Sequence, residues 1–156
     1  MELIRIEGAF TMDCGAPMPI ILSGDNELIV AFFSLNEDLA APDEHVVIKF
    51  KRCIKYIFGT PGNETLHGHP YYKLGLRSCS FYQLKGSDLI QETDRIESVH
   101  PAYKPGVPGN QKHYILTFHD NMFECIAAGY EVLTKNEDYY NQALTLLEMT
   151  ANSRQK

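Results

Sequence analysis

Six histidines are the residues of this sequence best suited to chemistry. His67 and His69 are two residues apart, so an extended backbone would point both imidazoles to the same side. His113 and His119 share one face of a predicted strand, and Glu124 lies on the following strand. Imidazoles combined with a carboxylate can hold a divalent transition metal with an open coordination position. One prediction is therefore a metal site formed by His67, His69, His113, His119 and Glu124.

The pair His67-Gly-His69 is similar to the H-x-H motif of cupins, which are all-β barrels. Cupins place a glutamate soon after the pair, but residues 70–76 contain none. The resemblance implies a metal-dependent enzyme of cupin-like or hydrolase type. The alternative is that both histidines lie in a loop and form hydrogen bonds with the backbone.

Two further pairs have the residue types of reactive sites. Cys125 with His119 or His113 has the composition of a thiolate–imidazole pair, although the predicted register puts the cysteine on the opposite face of the sheet. Glu124 and His119 could exchange protons as an acid–base pair. The alternatives are a buried cysteine that acts as a small apolar side chain and a surface ion pair.

Common catalytic signatures are missing from the sequence. It contains no phosphate-binding G-x-x-x-x-G-K-[ST], no dinucleotide G-x-G-x-x-G after a strand, no G-x-S-x-G and no H-E-x-x-H. The sequence therefore names no reaction, and we favour a protein without catalytic activity and without a cofactor.

Length and composition restrict the class of protein. A chain of 156 residues fits one domain, predicted over 1–156 with a frayed tail at 152–156. Its formal charge of −6 argues against nucleic acid as a partner. The N-terminus lacks the pattern of a signal peptide, and no apolar run reaches the ~18 residues of a membrane span. We therefore predict a cytoplasmic protein, without a membrane partner, whose four separated cysteines are reduced.

Most of the elements that would position these residues have strand periodicity. Residues 3–10 alternate, residues 27–35 form a short apolar run, and residues 79–84 form another. Residues 46–58 alternate in a single phase, which is longer than the common strand of ~5–6 residues. This pattern predicts one long bent strand or two strands joined at a kink. Arg52 interrupts the apolar face, either at a bulge that turns it outward, which we favour, or as a buried, paired guanidinium.

Residues 112–119 and 122–132 predict a hairpin with Asp120-Asn121 as a two-residue turn. This turn places Thr117 opposite Glu124 and Leu116 opposite Cys125. One face then carries apolar side chains and is predicted to be the core face. The core-face residues are Tyr114, Leu116, Phe118, Phe123, Cys125 and Ala127.

Two segments have helical spacing. Ser87 or Asp88 can cap a short helix over 89–99, and an amphipathic helix is predicted over 135–150. Residues 100–111 are rich in Pro and Gly and predict a long surface loop, the best candidate for a lid or contact surface. The predicted fold is α+β: a bent, mainly antiparallel sheet or partly open β-barrel, with one short helix and a C-terminal amphipathic helix.

Two motifs resemble a family of small uncharacterised bacterial proteins. The first is His67-Gly-His-Pro-Tyr71, and the second is the string from His113 to Cys125, HYILTFHDNMFEC. The resemblance covers about residues 55 to 130 and implies a bacterial cytoplasmic protein. It implies no activity.

The function we favour from the sequence is a small binding or accessory protein that acts through a pocket or a protein contact. Tyrosines in or beside loops suit a recognition surface, because the ring is apolar and the hydroxyl is polar. The partner is predicted to be a protein or a small molecule. The candidate pocket residues are His67, His69, Tyr71, Tyr72, His119, Asp120 and Glu124.

Overall fold

A computed structural model describes residues 1–25, 27–35, 44–105, 107–134, 141 and 148. These residues form nine β-strands, one α-helix and short 3₁₀ helices. The strands are β1 (Glu2–Arg5), β2 (Ile20–Ser23), β3 (Glu27–Ser34), β4 (Glu44–Lys51), β5 (Lys55–Gly59), β6 (Ser80–Lys85), β7 (Lys112–Thr117), β8 (Met122–Ala127) and β9 (Gly129–Thr134). The helix is α1 (Asp88–Glu97), and the 3₁₀ helices cover Leu66–Gly68, Pro70–Leu74 and Val107–Asn110.

The strands form two antiparallel sheets. One sheet has the strand order β1-β6-β7-β8-β5, and the other has the order β2-β3-β4-β9. The predicted α+β class dominated by antiparallel sheet is confirmed. Within the described residues, the two sheets remain separate and do not close into a barrel.

The main core lies between the two sheets and is rich in aromatic rings. Phe50, on β4, is fully buried and faces three rings of the five-stranded sheet. Its centroid lies 6.4 Å from that of Phe81, 5.7 Å from that of Tyr114 and 5.4 Å from that of Phe123. With no Trp in the sequence, Phe and Tyr supply the large rings of this core.

The outer face of the five-stranded sheet carries a second core. Ile115 and Met122 on this face pack with Leu66 and Leu76, which come from the connection between β5 and β6. Tyr71 and Tyr72 pack against the same cluster. This second core fixes the 67–72 segment on the sheet surface near the β7–β8 hairpin.

The long alternating segment is two strands joined at a kink, as one of the two predictions stated. β4 belongs to the four-stranded sheet and β5 to the five-stranded sheet. Arg52 lies between them with φ of 49° and an exposed side chain. The kink therefore turns the guanidinium outward, and the buried alternative is wrong.

The predicted faces of the β7–β8 hairpin are confirmed, but the predicted register is wrong. All six residues of the predicted core face belong to the main core. Ile115, and not Thr117, lies opposite Glu124. The loop has four residues, 118–121, and is closed by a hydrogen bond from Phe118 N to Asn121 O at 2.8 Å. A shift of two residues keeps every side chain on its predicted face.

The short helix is confirmed, with Ser87 as its N-cap. The helix predicted over 135–150 and the tail at 152–156 lie outside the described residues, apart from Asn141 and Glu148, which are both helical. Among the described helices, none has the length and apolar character required to cross a membrane.

Candidate functional site

Three of the predicted site residues meet on the outer face of the five-stranded sheet. β7 supplies His113, β8 supplies Glu124, and the connection between β5 and β6 supplies His69. In the observed register His113 is a diagonal neighbour of Glu124, since Ile115 lies opposite the glutamate. The Nε2 atom of His113 lies 2.8 Å from Glu124 Oε2.

Ser87 and Glu124 occupy the two ring nitrogens of His113. The Oγ atom of Ser87 accepts a hydrogen bond from Ile90 N at 3.3 Å and lies 2.7 Å from His113 Nδ1. A carboxylate can only accept, so the neutral ring carries its proton on Nε2 and donates it to Glu124. The Nδ1 atom is then unprotonated and accepts the hydroxyl proton of Ser87.

Ser87, His113 and Glu124 contain the side-chain types of a catalytic triad but are not arranged as one. The serine bonds to Nδ1 and the glutamate to Nε2, the reverse of the order in Ser-His-Asp enzymes. Ser87 is 2% exposed and the His113 side chain 0%. A substrate cannot reach this hydroxyl, so the three residues form a buried polar network that joins α1 to both strands of the hairpin.

His69 approaches the same carboxylate from the other side. It is the N-cap of the 3₁₀ helix Pro70–Leu74, and its Nδ1 accepts a hydrogen bond from Tyr71 N at 3.2 Å. The proton of the neutral ring must then be on Nε2, which lies 3.7 Å from Glu124 Oε1. Burial lowers the pKa of His69, while the charge of Glu124 opposes this shift. His69 is therefore neutral at neutral pH.

Tyr71 packs against both imidazoles. Its ring centroid lies 4.8 Å from that of His69 and 6.2 Å from that of His113, both edge-to-face. Burial, together with the charges of Glu124 and Asp88, raises the pKa of the Tyr71 phenol. The tyrosine therefore remains a neutral hydrogen-bonding group beside the carboxylate.

The remaining predicted residues lie apart from this cluster. His67 is exposed. His119 and Asp120 form an exposed pair at the hairpin turn, with His119 Nδ1 2.8 Å from Asp120 Oδ1. The Tyr72 ring lies under the guanidinium of Arg77, whose Cζ is 4.5 Å from the ring centroid. The structure thus brings together His69, Tyr71, His113 and Glu124 out of the predicted residues.

The predicted metal site has a specific chemical obstacle. A metal that bound His69 through Nε2 would require the proton on Nδ1, where Tyr71 N already donates. In the described part of the chain, no three or more His, Cys, Asp or Glu side chains are arranged to hold a metal ion. The metal-dependent enzyme stays an alternative prediction, which elemental analysis can decide.

A cavity of about 570 Å³ lies elsewhere, where the β4–β5 kink meets the end of α1 and the loop that follows it. This volume is within the usual range of small-molecule pockets. Five of its nine lining residues come from 100–111, the loop predicted to be a contact surface. The lining residues are Asp25, Cys53, Ile54, Glu97, His100, Ala102, Tyr103, Lys104 and Gln111.

One residue of the cavity lining has a buried polar atom without a protein partner. The Oε1 atom of Gln111 is buried and accepts no hydrogen bond within the described structure. A buried unpaired acceptor costs about 1–3 kcal/mol, but this oxygen has almost no accessible surface, so a molecule in the cavity does not reach it. Asp25 and Glu97 line the cavity together with Lys104. Apart from the loop itself, no motif in the sequence predicted this site, because its residues come from three segments that are distant in the sequence.

The comparisons with known proteins supply no relative: no family model, no curated protein and no solved structure matches this chain. The resemblance to the bacterial family therefore stays a prediction.

Proposed function

We propose that this protein is a binding protein that takes a small organic molecule into the cavity beside the β4–β5 kink and does not act as a catalyst. The observation that carries this proposal is a cavity of about 570 Å³ whose lining combines apolar residues with two acidic residues and one lysine. The bacterial cytoplasm is the setting we propose, on the resemblance alone.

The lining indicates the chemistry of the ligand. Ile54, Ala102 and Tyr103 contribute apolar surface to the lining. Two carboxylates against one ammonium give the wall an excess of negative charge. The wall therefore suits an organic ammonium ion with an apolar body, such as an arylalkylamine.

The polar network around Glu124 has a supporting role in this proposal. Its serine and one histidine are closed to solvent, and its bonds connect α1, β7 and β8. Since α1 ends at Glu97 in the wall of the cavity, the network holds one side of the binding site in place.

A thermal-shift series with phenethylamine and phenylpropionate tests the proposal. The two probes share an aromatic body but differ in charge. At about 100 times its dissociation constant, a bound probe should raise the unfolding temperature by roughly 5–10 °C. We expect the amine to stabilise the protein and the carboxylate not to do so.

Two variants locate the binding. Ile54→Trp should fill the cavity, and Glu97→Gln should remove one of its negative charges, so both should weaken the effect of the amine. His119→Gln, in the exposed pair at the hairpin turn, is the matched control and should bind as the wild type does. Equal stabilisation by both probes, or full amine binding by Ile54→Trp, would contradict the proposal.

A further inference from the structure

Strand β5 forms one edge of the five-stranded sheet and carries a run of exposed apolar side chains. Tyr56, Ile57 and Phe58, at its centre, are 43%, 46% and 40% exposed. Natural sheets protect an open edge with charged residues or proline, because an apolar edge pairs with other chains. The sequence of β5, KYIFG, has one charge, on Lys55. This edge is therefore weakly protected against pairing.

The hydrogen bonds of β8 show which of its backbone groups face β5. Phe118 N donates to Asn121 O at 2.8 Å, in the same register as the β7–β8 pairs. Since bonded and non-bonded pairs alternate along an antiparallel ladder, Glu124 is not bonded to β7, and its backbone groups point to β5. Two residues further, Ile126 O accepts a hydrogen bond from Ile54 N at 3.0 Å on that same side.

The backbone groups of β5 divide between the two sides of the strand. Ile57 lies opposite Glu124, so its N–H and C=O groups face β8. Its neighbours Tyr56 and Phe58 direct their N–H and C=O groups the other way. Among the residues that the structure describes, no strand lies on that side of β5. The open edge thus presents backbone donors and acceptors with apolar side chains beside them.

We propose that β5 pairs with β5 of a second copy of this chain, antiparallel about a two-fold axis at Ile57. In this register Tyr56 lies opposite Phe58 of the second copy. Each such pair exchanges both of its backbone hydrogen bonds, because these are the residues whose groups point outward. Ile57 lies opposite its own counterpart in a non-bonded pair, where side chains approach closely. The two five-stranded sheets then form one continuous sheet.

The side chains of β5 also match in this register. The Tyr56 ring is stacked on that of Phe123 with centroids 6.2 Å apart, so its face of the strand continues the main core. Phe58 shares this face, since side chains alternate along a strand. The two copies therefore place aromatic rings opposite each other, a favourable cross-strand pairing. Lys55 lies opposite Gly59 of the second copy, so no like charges are opposed. The edge is complementary to itself, which favours a second copy over another protein.

Analytical ultracentrifugation of the whole chain tests the inference. Two short edge strands make a small interface, and interfaces below about 1,200 Å² are typical of weak complexes. We therefore expect a monomer–dimer equilibrium, with the average mass rising toward that of two chains between about 1 and 300 µM protein. A single monomeric species throughout this range would overturn the inference, including a monomer whose β5 edge binds a segment of another protein.

A matched pair of variants tests the surface. Ile57→Lys places two ammonium groups opposite each other at the axis, so the dissociation constant of the dimer should rise at least about tenfold. Ile96→Lys makes the same change on α1, at a side chain that is 54% exposed, and should dimerise as the wild type does. A dimer that survives Ile57→Lys unchanged would contradict the proposed pairing.

Hydrogen exchange resolved to single amides needs no variant. In dilute protein the amides of Tyr56 and Phe58 should exchange rapidly, whereas that of Ile57 is protected by its bond to β8. In concentrated protein all three should be protected. Protection of Tyr56 and Phe58 that does not change with concentration would overturn the inference. These measurements need no bound amine, so the inference and the proposed function can fail separately.

Discussion

The Nε2 atom of His113 lies 2.8 Å from Glu124 Oε2, and this bond joins two adjacent strands on the face of the sheet that carries the second core. Because Ser87 occupies the other ring nitrogen, both nitrogens of a fully buried imidazole have partners. Buried polar groups that form all their hydrogen bonds favour one unique fold, whereas the loss of one partner lowers the free energy of unfolding.

The first prediction concerns the stability of this network. Glu124→Leu leaves the Nε2 proton of His113 buried without an acceptor, so we expect a loss of about 2–3 kcal/mol in the free energy of unfolding. Glu124→Gln keeps an acceptor oxygen and should lose less. Urea denaturation measures both. The exposed-pair variant Asp120→Ala, as a control, should lose less than about 1 kcal/mol. A loss for Glu124→Leu no larger than this control would contradict the structural role.

The second prediction concerns the pH dependence of stability. His69 has a pKa below 6.5 in the folded protein, so between that pKa and 6.5 the unfolded chain binds a proton that the folded chain does not. The contribution of His69 to stability is therefore complete above pH 6.5 and is lost as the pH falls below it. Urea denaturation over about pH 5 to 8 should show a steeper acid-side loss for wild type than for His69→Gln. Identical slopes would show that His69 is not buried in this way.

The same histidine gives a direct check by NMR. The imidazole resonances of His69 should titrate with a midpoint below 6.5, and Glu124→Gln should lower the midpoint further, since the carboxylate favours the charged ring. A higher midpoint in the variant would contradict this assignment.

The third prediction concerns metal binding. Since Tyr71 N donates to His69 Nδ1, we expect each of Zn, Fe, Mn, Ni and Cu to be present at less than about a tenth of an equivalent in the purified protein. None of these metals should raise the unfolding temperature when added, because only a ligand that binds the native state stabilises it. One equivalent of any of them, with stabilisation that His69→Gln abolishes, would favour the metal-dependent enzyme.

Strand periodicity predicted much of the fold. The alternation of residues 113–127 assigned every side chain to its face, because the period of two survives a shift of register by two. The turn was predicted less accurately than the faces. The dipeptide Asp120-Asn121 fits a two-residue turn, but it also lies within the observed four-residue loop 118–121. That difference of two residues exchanges His119 for His113 as the partner of Glu124.

Four of the five residues in the cluster around Glu124 were predicted from the sequence, and Ser87 was not. His69 and Glu124 were predicted to belong together, and their side chains do approach each other. The contact between Ser87 and His113 was not predicted. The sequence identifies Ser87 as the cap of the helix that follows it, but it gives no sign of a contact with a strand distant in the sequence.

The kink at Arg52 has a mechanical consequence. Just before the kink Lys51 pairs with Gly129, and just after it Lys55 pairs with Ile126. Two antiparallel, neighbouring chain segments therefore cross together from one sheet to the other. Ala128 N donates to Lys51 O at 2.8 Å within this crossing. These two hydrogen-bonded segments therefore hold the two sheets together at this corner, and any separation of the sheets must start from another edge.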